Sequence, residues 1–139
     1  MSRLIPLLLV VVAVAVGAVA CGGPNRSAYV KANDRVFKQL PLFPGAKLRA
    51  KVSAPARAEE DGPVVGYTTR YDFELPQMAQ PDEVAAFYRQ RLEPKWRLVE
   101  RIDGPVLNFR QGGAFLSINL DSWRAHQFEV AVDHDYYGR

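Results

Sequence analysis

Residues 64–75, VVGYTTRYDFEL, constrain the fold more than any other stretch of the chain. Val65, Tyr67, Thr69, Tyr71, Phe73 and Leu75 alternate with Gly66, Thr68, Arg70, Asp72 and Glu74. Successive side chains of a strand point to opposite faces, so one face here is apolar and the other polar. A period of two held this long argues for an antiparallel sheet with one face on a core and one in water.

Four more strand-like runs follow, at residues 96–102, 105–111, 114–121 and 127–133. Leu116, Ile118 and Leu120 alternate with Ser117, Asn119 and Asp121, while Phe128, Val130 and Val132 bracket Glu129 and Ala131. Asp103-Gly104 and Gly112-Gly113 read as tight hairpin turns. Trp96, at a strand start, reads as core. Upstream, Leu48, Ala50 and Val52 alternate with Lys47, Arg49 and Lys51, which predicts a short, half-exposed strand. Residues 53–63, SAPARAEEDGP, carry no packing signal and read as a polar loop.

Two segments have helical spacing. In residues 27–40, Tyr29, Ala32, Val36, Phe37 and Leu40 share one face, with Ser27 as the expected cap and Pro41 and Pro44 as stops. Pro81 then opens a second helix with Asp82 and Glu83 at its positive end. Val84, Phe87, Tyr88 and Leu92 form its apolar stripe, and Pro94 ends it. The expected fold class is α+β. It consists of a meandering antiparallel sheet of five to six strands packed on one main helix, with an additional N-terminal helix.

The start of the chain speaks of location. Residues 4–20, LIPLLLVVVAVAVGAVA, carry no charge and follow Arg3, the pattern of an export signal. The segment ends in Ala18-Val19-Ala20-Cys21, and Cys21 is the only cysteine. These four residues resemble the lipobox of bacterial lipoproteins. The resemblance implies cleavage before Cys21, a diacylglyceryl group on its sulfur and acylation of the new amino terminus. It departs from the usual pattern at Ala18, where leucine is commoner. Ala18-Val19-Ala20 also satisfies the A-x-A rule of ordinary signal peptidase, which leaves free secretion as an alternative. A third reading is an uncleaved anchor, since these 17 apolar residues reach the lower limit for spanning a bilayer. In that case Arg26, Lys31, Arg35 and Lys38 after the run would be drawn to the cytoplasm. Lipidation best explains a lone thiol in an exported chain, and two or more acyl chains hold firmly.

The resulting organisation is a signal peptide at 1–20, a lipidated tether at 21–26, a basic helix and linker at 27–45, and the α+β domain at 46–139. Pro44-Gly45-Ala46, Phe87-Tyr88, Leu92 and Trp96 are also similar to a pattern in small uncharacterised secreted bacterial domains, which implies no activity. The resemblance to lipoproteins implies attachment on the extracytoplasmic side of the cell membrane. Gly22, in place of the aspartate linked to inner-membrane retention, allows outer-membrane sorting in a two-membrane host.

Charge is divided between two halves. Residues 26–57 hold eight Lys or Arg against Asp34 alone, whereas residues 58–139 hold nine against fourteen acids. The basic half adjoins the anchor and reads either as an arm resting on headgroups or as a solvated stalk. Nucleic acid is a poor partner for an exported chain without a basic-aromatic motif.

Catalytic chemistry has little to draw on. The only histidines, His126 and His134, flank a predicted strand that would hold them roughly 26 Å apart at 3.3 Å per residue. Asp133-His134-Asp135 alternate in direction, so no metal site and no cofactor is expected. Ser53, Ser117 and Ser122 lie in no nucleophile elbow, and no phosphate-binding glycine loop occurs. No catalytic residue is assigned. Trp123 and Arg124, in the connection before the last strand, belong to the types enriched at binding hot spots, although the slightly preferred reading has Trp123 fold back and cap the core. Tyr136 and Tyr137 carry the same ambiguity. Arg70, with Thr68, Asp72, Glu74, Ser117 and Asn119, would line the polar face of the sheet. The expectation is a membrane-anchored envelope lipoprotein with a non-catalytic binding or scaffolding domain for an envelope protein or glycan. The alternatives are an envelope hydrolase using carboxylates with His126 or His134, and a membrane-surface binding protein.

Overall fold

A computed structural model describes residues 23–100, 106–120 and 126–134 of the chain. The elements run α1 (Arg26–Phe37), β1 (Lys47–Arg57), β2 (Val64–Glu74), α2 (Pro81–Leu92), β3 (Arg97–Glu100), β4 (Val106–Gln111), β5 (Ala114–Asn119) and β6 (Gln127–Asp133). The six strands form one antiparallel sheet in the order β1-β2-β6-β5-β4-β3. The class is therefore α+β, as the patterns predict.

The expectation of a single meander needs correction. The strands β3 to β6 follow one another across the sheet, but β6 then pairs with β2, so the β1–β2 hairpin closes the opposite edge. Between β2 and β3 the chain must cross the sheet, and α2 makes that crossing. Local alternation marks strands; it carries no information about which distant strand completes the ladder.

Both helices lie on one face. Register puts Tyr71 opposite Val130, Phe73 opposite Phe128, Leu116 opposite Val132 and Leu107 opposite Ile118. These side chains are buried, together with Val84, Tyr88 and Leu92 of α2 and Trp96 beyond it. Phe37 of α1 stacks on Tyr71 with ring centroids 3.7 Å apart, and Tyr88 of α2 meets Phe128 at 5.8 Å. One core thus joins both helices to the sheet. The Tyr88 hydroxyl is buried there, and burial pushes its pKa up, partly offset by the Phe43 backbone. That backbone approaches without completing a hydrogen bond.

The start of α1 falls earlier than expected. Asn25, and not Ser27, is the cap: its side-chain oxygen accepts from the Ala28 N–H at 3.2 Å. In α2, Glu83 turns back to accept from the Gln80 N–H at 3.1 Å, which satisfies a donor that the helix start would leave orphaned.

Residues 53–57 are strand, not loop. β1 runs to Arg57 and pairs with β2 as far as Val64, and the connection is held by an Arg57 guanidinium donating to the Gly62 carbonyl. The apolar period stops after Val52 because β1 is an edge strand and most of its side chains face water. An edge also tolerates Pro55, which has no N–H to give. A register shift between Leu48 and Ala50 puts Lys51 opposite Tyr71. Lys51 therefore stands on the helix-covered side of the sheet.

Candidate functional site

The seam between α1 and the β2–β6 ladder gathers most of the polar chemistry among the described residues. It is built on Asn33, which lies one turn after Tyr29 and one before Phe37. It therefore falls on the buried face of α1 and is wholly inaccessible to solvent. Its Nδ2 donates to the Tyr67 carbonyl at 2.8 Å and to Thr69 Oγ1 at 3.1 Å. Its Oδ1 accepts from the His134 backbone N–H at 2.9 Å and lies 3.0 Å from the His134 ring Nδ1. One amide thereby ties the helix to two strands. An uncharged side chain buried with all its partners met costs little, whereas losing those partners would cost much.

His134 is defined by this contact. Asn33 Oδ1 is a carbonyl oxygen and can only accept, so His134 Nδ1 is the donor in this contact. The Tyr29 ring packs edge-on against the His134 ring at 4.8 Å. The nearby serine is occupied as well, for Ser53 Oγ and Thr69 Oγ1 share a hydrogen bond of 3.0 Å. Serine, threonine, asparagine and histidine therefore form one chain, in which the two hydroxyls meet each other and the histidine meets the amide. The arrangement clamps the helix and does not prime a nucleophile, because serine and histidine are not paired.

A second cluster lies beside it. Asp34 Oδ1 accepts from the Tyr71 hydroxyl at 2.6 Å, and Asp34 Oδ2 pairs with Lys51 Nζ at 2.6 Å. Burial works to raise the Asp34 pKa, but the hydrogen bonds from Lys51 and Tyr71 and the charges of Lys51 and Lys38 outweigh it, leaving the carboxyl below its ordinary value. Tyr71 moves the other way: burial first, then its bond to Asp34, hold the phenol protonated well above the usual range. The phenol is therefore a donor here, not a base.

Arg70 stands on the opposite face of the sheet. Its Nε lies 3.2 Å from Asp72 Oδ1 and 3.5 Å from Glu129 Oε2. Register places Arg70 and Asp72 beside Ser117 and Asn119 across β6, so the predicted polar platform exists. It is less open than expected, since Asn108 and Asp133 on that face are buried. Trp123, Arg124, Tyr136, Tyr137, Asp135 and the Asp103-Gly104 turn lie outside the described residues, as do Cys21 and its flank Ala18, Val19 and Ala20.

His126 and His134 stand at opposite ends of β6, and His126 adopts a left-handed backbone at φ 68°. Among the described residues no group of three or more histidine, cysteine or carboxylate side chains is placed to hold a metal ion. No described helix is long and apolar enough to cross a membrane. Sequence reasoning missed Asn33. The signal was a polar residue in the middle of an apolar stripe, where only a residue with buried partners can sit.

No protein-family model matches the chain, and comparison with curated proteins gives no match.

Proposed function

We propose that the chain is an exported lipoprotein, acylated on Cys21, whose α+β domain binds or positions an envelope partner without catalysing a reaction. The observation that carries this reading is Ala18-Val19-Ala20-Cys21 closing an uncharged run of 17 residues, with Cys21 the only thiol. The folded unit supports it from the other side. Asn25 caps α1 only four residues after Cys21, so a domain would hang directly from the acylated end. The hydrogen-bonding seam at Asn33 is spent on holding α1 in place, and on the outer sheet face Arg70 is paired with Asp72 and Glu129. Attachment on the extracytoplasmic side follows from export, and the outer membrane is open to it in a two-membrane host.

The test is crosslinking of the tagged, full-length protein in its native membrane, with Trp123→Ala as the comparison. One specific envelope protein or glycan that co-purifies with the parent and is lost with Trp123→Ala supports a binding domain and locates its surface. No enriched partner at all contradicts it.

A further inference from the structure

The eight cations of residues 26–57 do not act together. Arg49 Nε lies 3.1 Å from Glu74 Oε2, Lys51 is held by Asp34, and Arg57 secures the β1–β2 turn. The cations of α1 are different. Lys31, Arg35 and Lys38 follow one another at spacings of four and three residues, which places them on one face. All three are exposed. Asn33 lies about 200° round the helix from Lys31, so this basic face points directly away from the sheet. Among the described residues none of the three forms an ion pair with a carboxylate. The nearby Asp34 has both oxygens engaged by Lys51 and Tyr71.

Helix stability accounts for only part of this charge: Arg35 in the last turn and Lys38 at the C-cap suit the negative end of the dipole, whereas Lys31 and Arg26 do not. α1 has no acid in its first turn, and Arg26 sits at the positive end of its dipole. Lys31 and Arg35 are like charges one turn apart, which works against helix formation. α2 differs at its start, where Asp82 and Glu83 occupy the first turn; both helices carry arginine in the last. Resting on the lipid-anchored reading above, we propose that the Lys31, Arg35 and Lys38 face of α1 docks on anionic phospholipid headgroups.

Chain length makes this contact hard to avoid. Five residue steps separate Cys21 from Arg26, so the start of α1 lies within about 18 Å of the anchored sulfur. α1 itself is about 18 Å long. Tethering turns a weak surface attraction into an intramolecular one, with an effective concentration near the millimolar range. Each cation near an anionic surface adds roughly fivefold to occupancy, so three together favour the docked state on the order of a hundredfold. With α1 against the bilayer, the sheet face bearing Arg70, Asp72 and Glu129 turns outward, where a partner can reach it.

The full chain, reconstituted through its own N-terminus into vesicles, tests this by lysine acetylation read peptide by peptide. Lys95, exposed in the turn after α2, is the internal control. Lys31 and Lys38 are expected to react roughly fivefold more slowly on vesicles containing phosphatidylglycerol than on pure phosphatidylcholine. The protection should vanish near 1 M salt, where the screening length is about 3 Å, and should weaken with Arg35→Gln. Equal rates at Lys31 and Lys38 on both vesicles overturn the proposal. The mass of the Cys21 peptide is read in parallel. Unmodified Cys21 with protection intact would remove the anchor and leave the docking; acylated Cys21 without protection would do the reverse.

Discussion

Asn33 is the residue on which the helix-covered end of the domain depends. Replacing it with alanine removes the side-chain partner of the Tyr67 carbonyl and of the His134 N–H at once, and leaves the Thr69 hydroxyl with Ser53 alone. Chemical denaturation of Asn33→Ala should show a loss of about 2–4 kcal/mol, well beyond the effect of an exposed substitution. Asp34 makes a prediction in pH. Its folded pKa is depressed, so its contribution is present above the ordinary carboxylate range near 3.9 and is lost as pH falls through the folded value. Asp34→Asn should be less stable than the parent at neutral pH, and the two midpoints should converge in acid. A gap that stays constant down to low pH would show that Asp34 contributes no charge-dependent stability. Neither residue stood out in sequence. Asn33 was overlooked because the reading followed the apolar members of its stripe, and Asp34 because its partners, Lys51 and Tyr71, come from two strands that only the folded sheet brings together.

Elements differ in how openly they announce themselves. β2 and α2 follow their patterns within a residue or two, because each has one face on the core and a clear period. The edge strand β1 does not, since a strand exposed along most of its length needs no alternation, and Pro55 reads locally as a break. Its pairing depends on β2, not on its own composition. The connection between α1 and β1 rests on Gly45, whose φ of 78° suits glycine alone and whose absent Cβ would lie 2.8 Å from the Pro76 ring. Gly45→Ala should therefore cost about 1–3 kcal/mol, seen as a lowered Tm, from backbone strain and contact together. A thermal midpoint unchanged from the parent would mean that the turn and Pro76 yield freely.

For the whole molecule, the polarity of the chain is the organising fact. Export and anchoring are proposed from the first 21 residues, whereas the α+β class is legible in the alternation and present in the fold. The pairing of β2 with β6 was not legible, because residues some sixty positions apart leave no periodic trace in each other. The division of the basic half was equally hidden: only folded geometry separates the cations spent on Asp34, Glu74 and Gly62 from those that α1 turns outward. Everything proposed about function rests on Cys21 as the attachment point. The most direct measurement is the mass of the N-terminal peptide of the protein extracted from its own membranes. The account predicts a chain that begins at Cys21 and carries a diacylglyceryl group, with a further acyl chain on its amino terminus. An N-terminal peptide with a free thiol at position 21, or one that still begins at Met1, would contradict it.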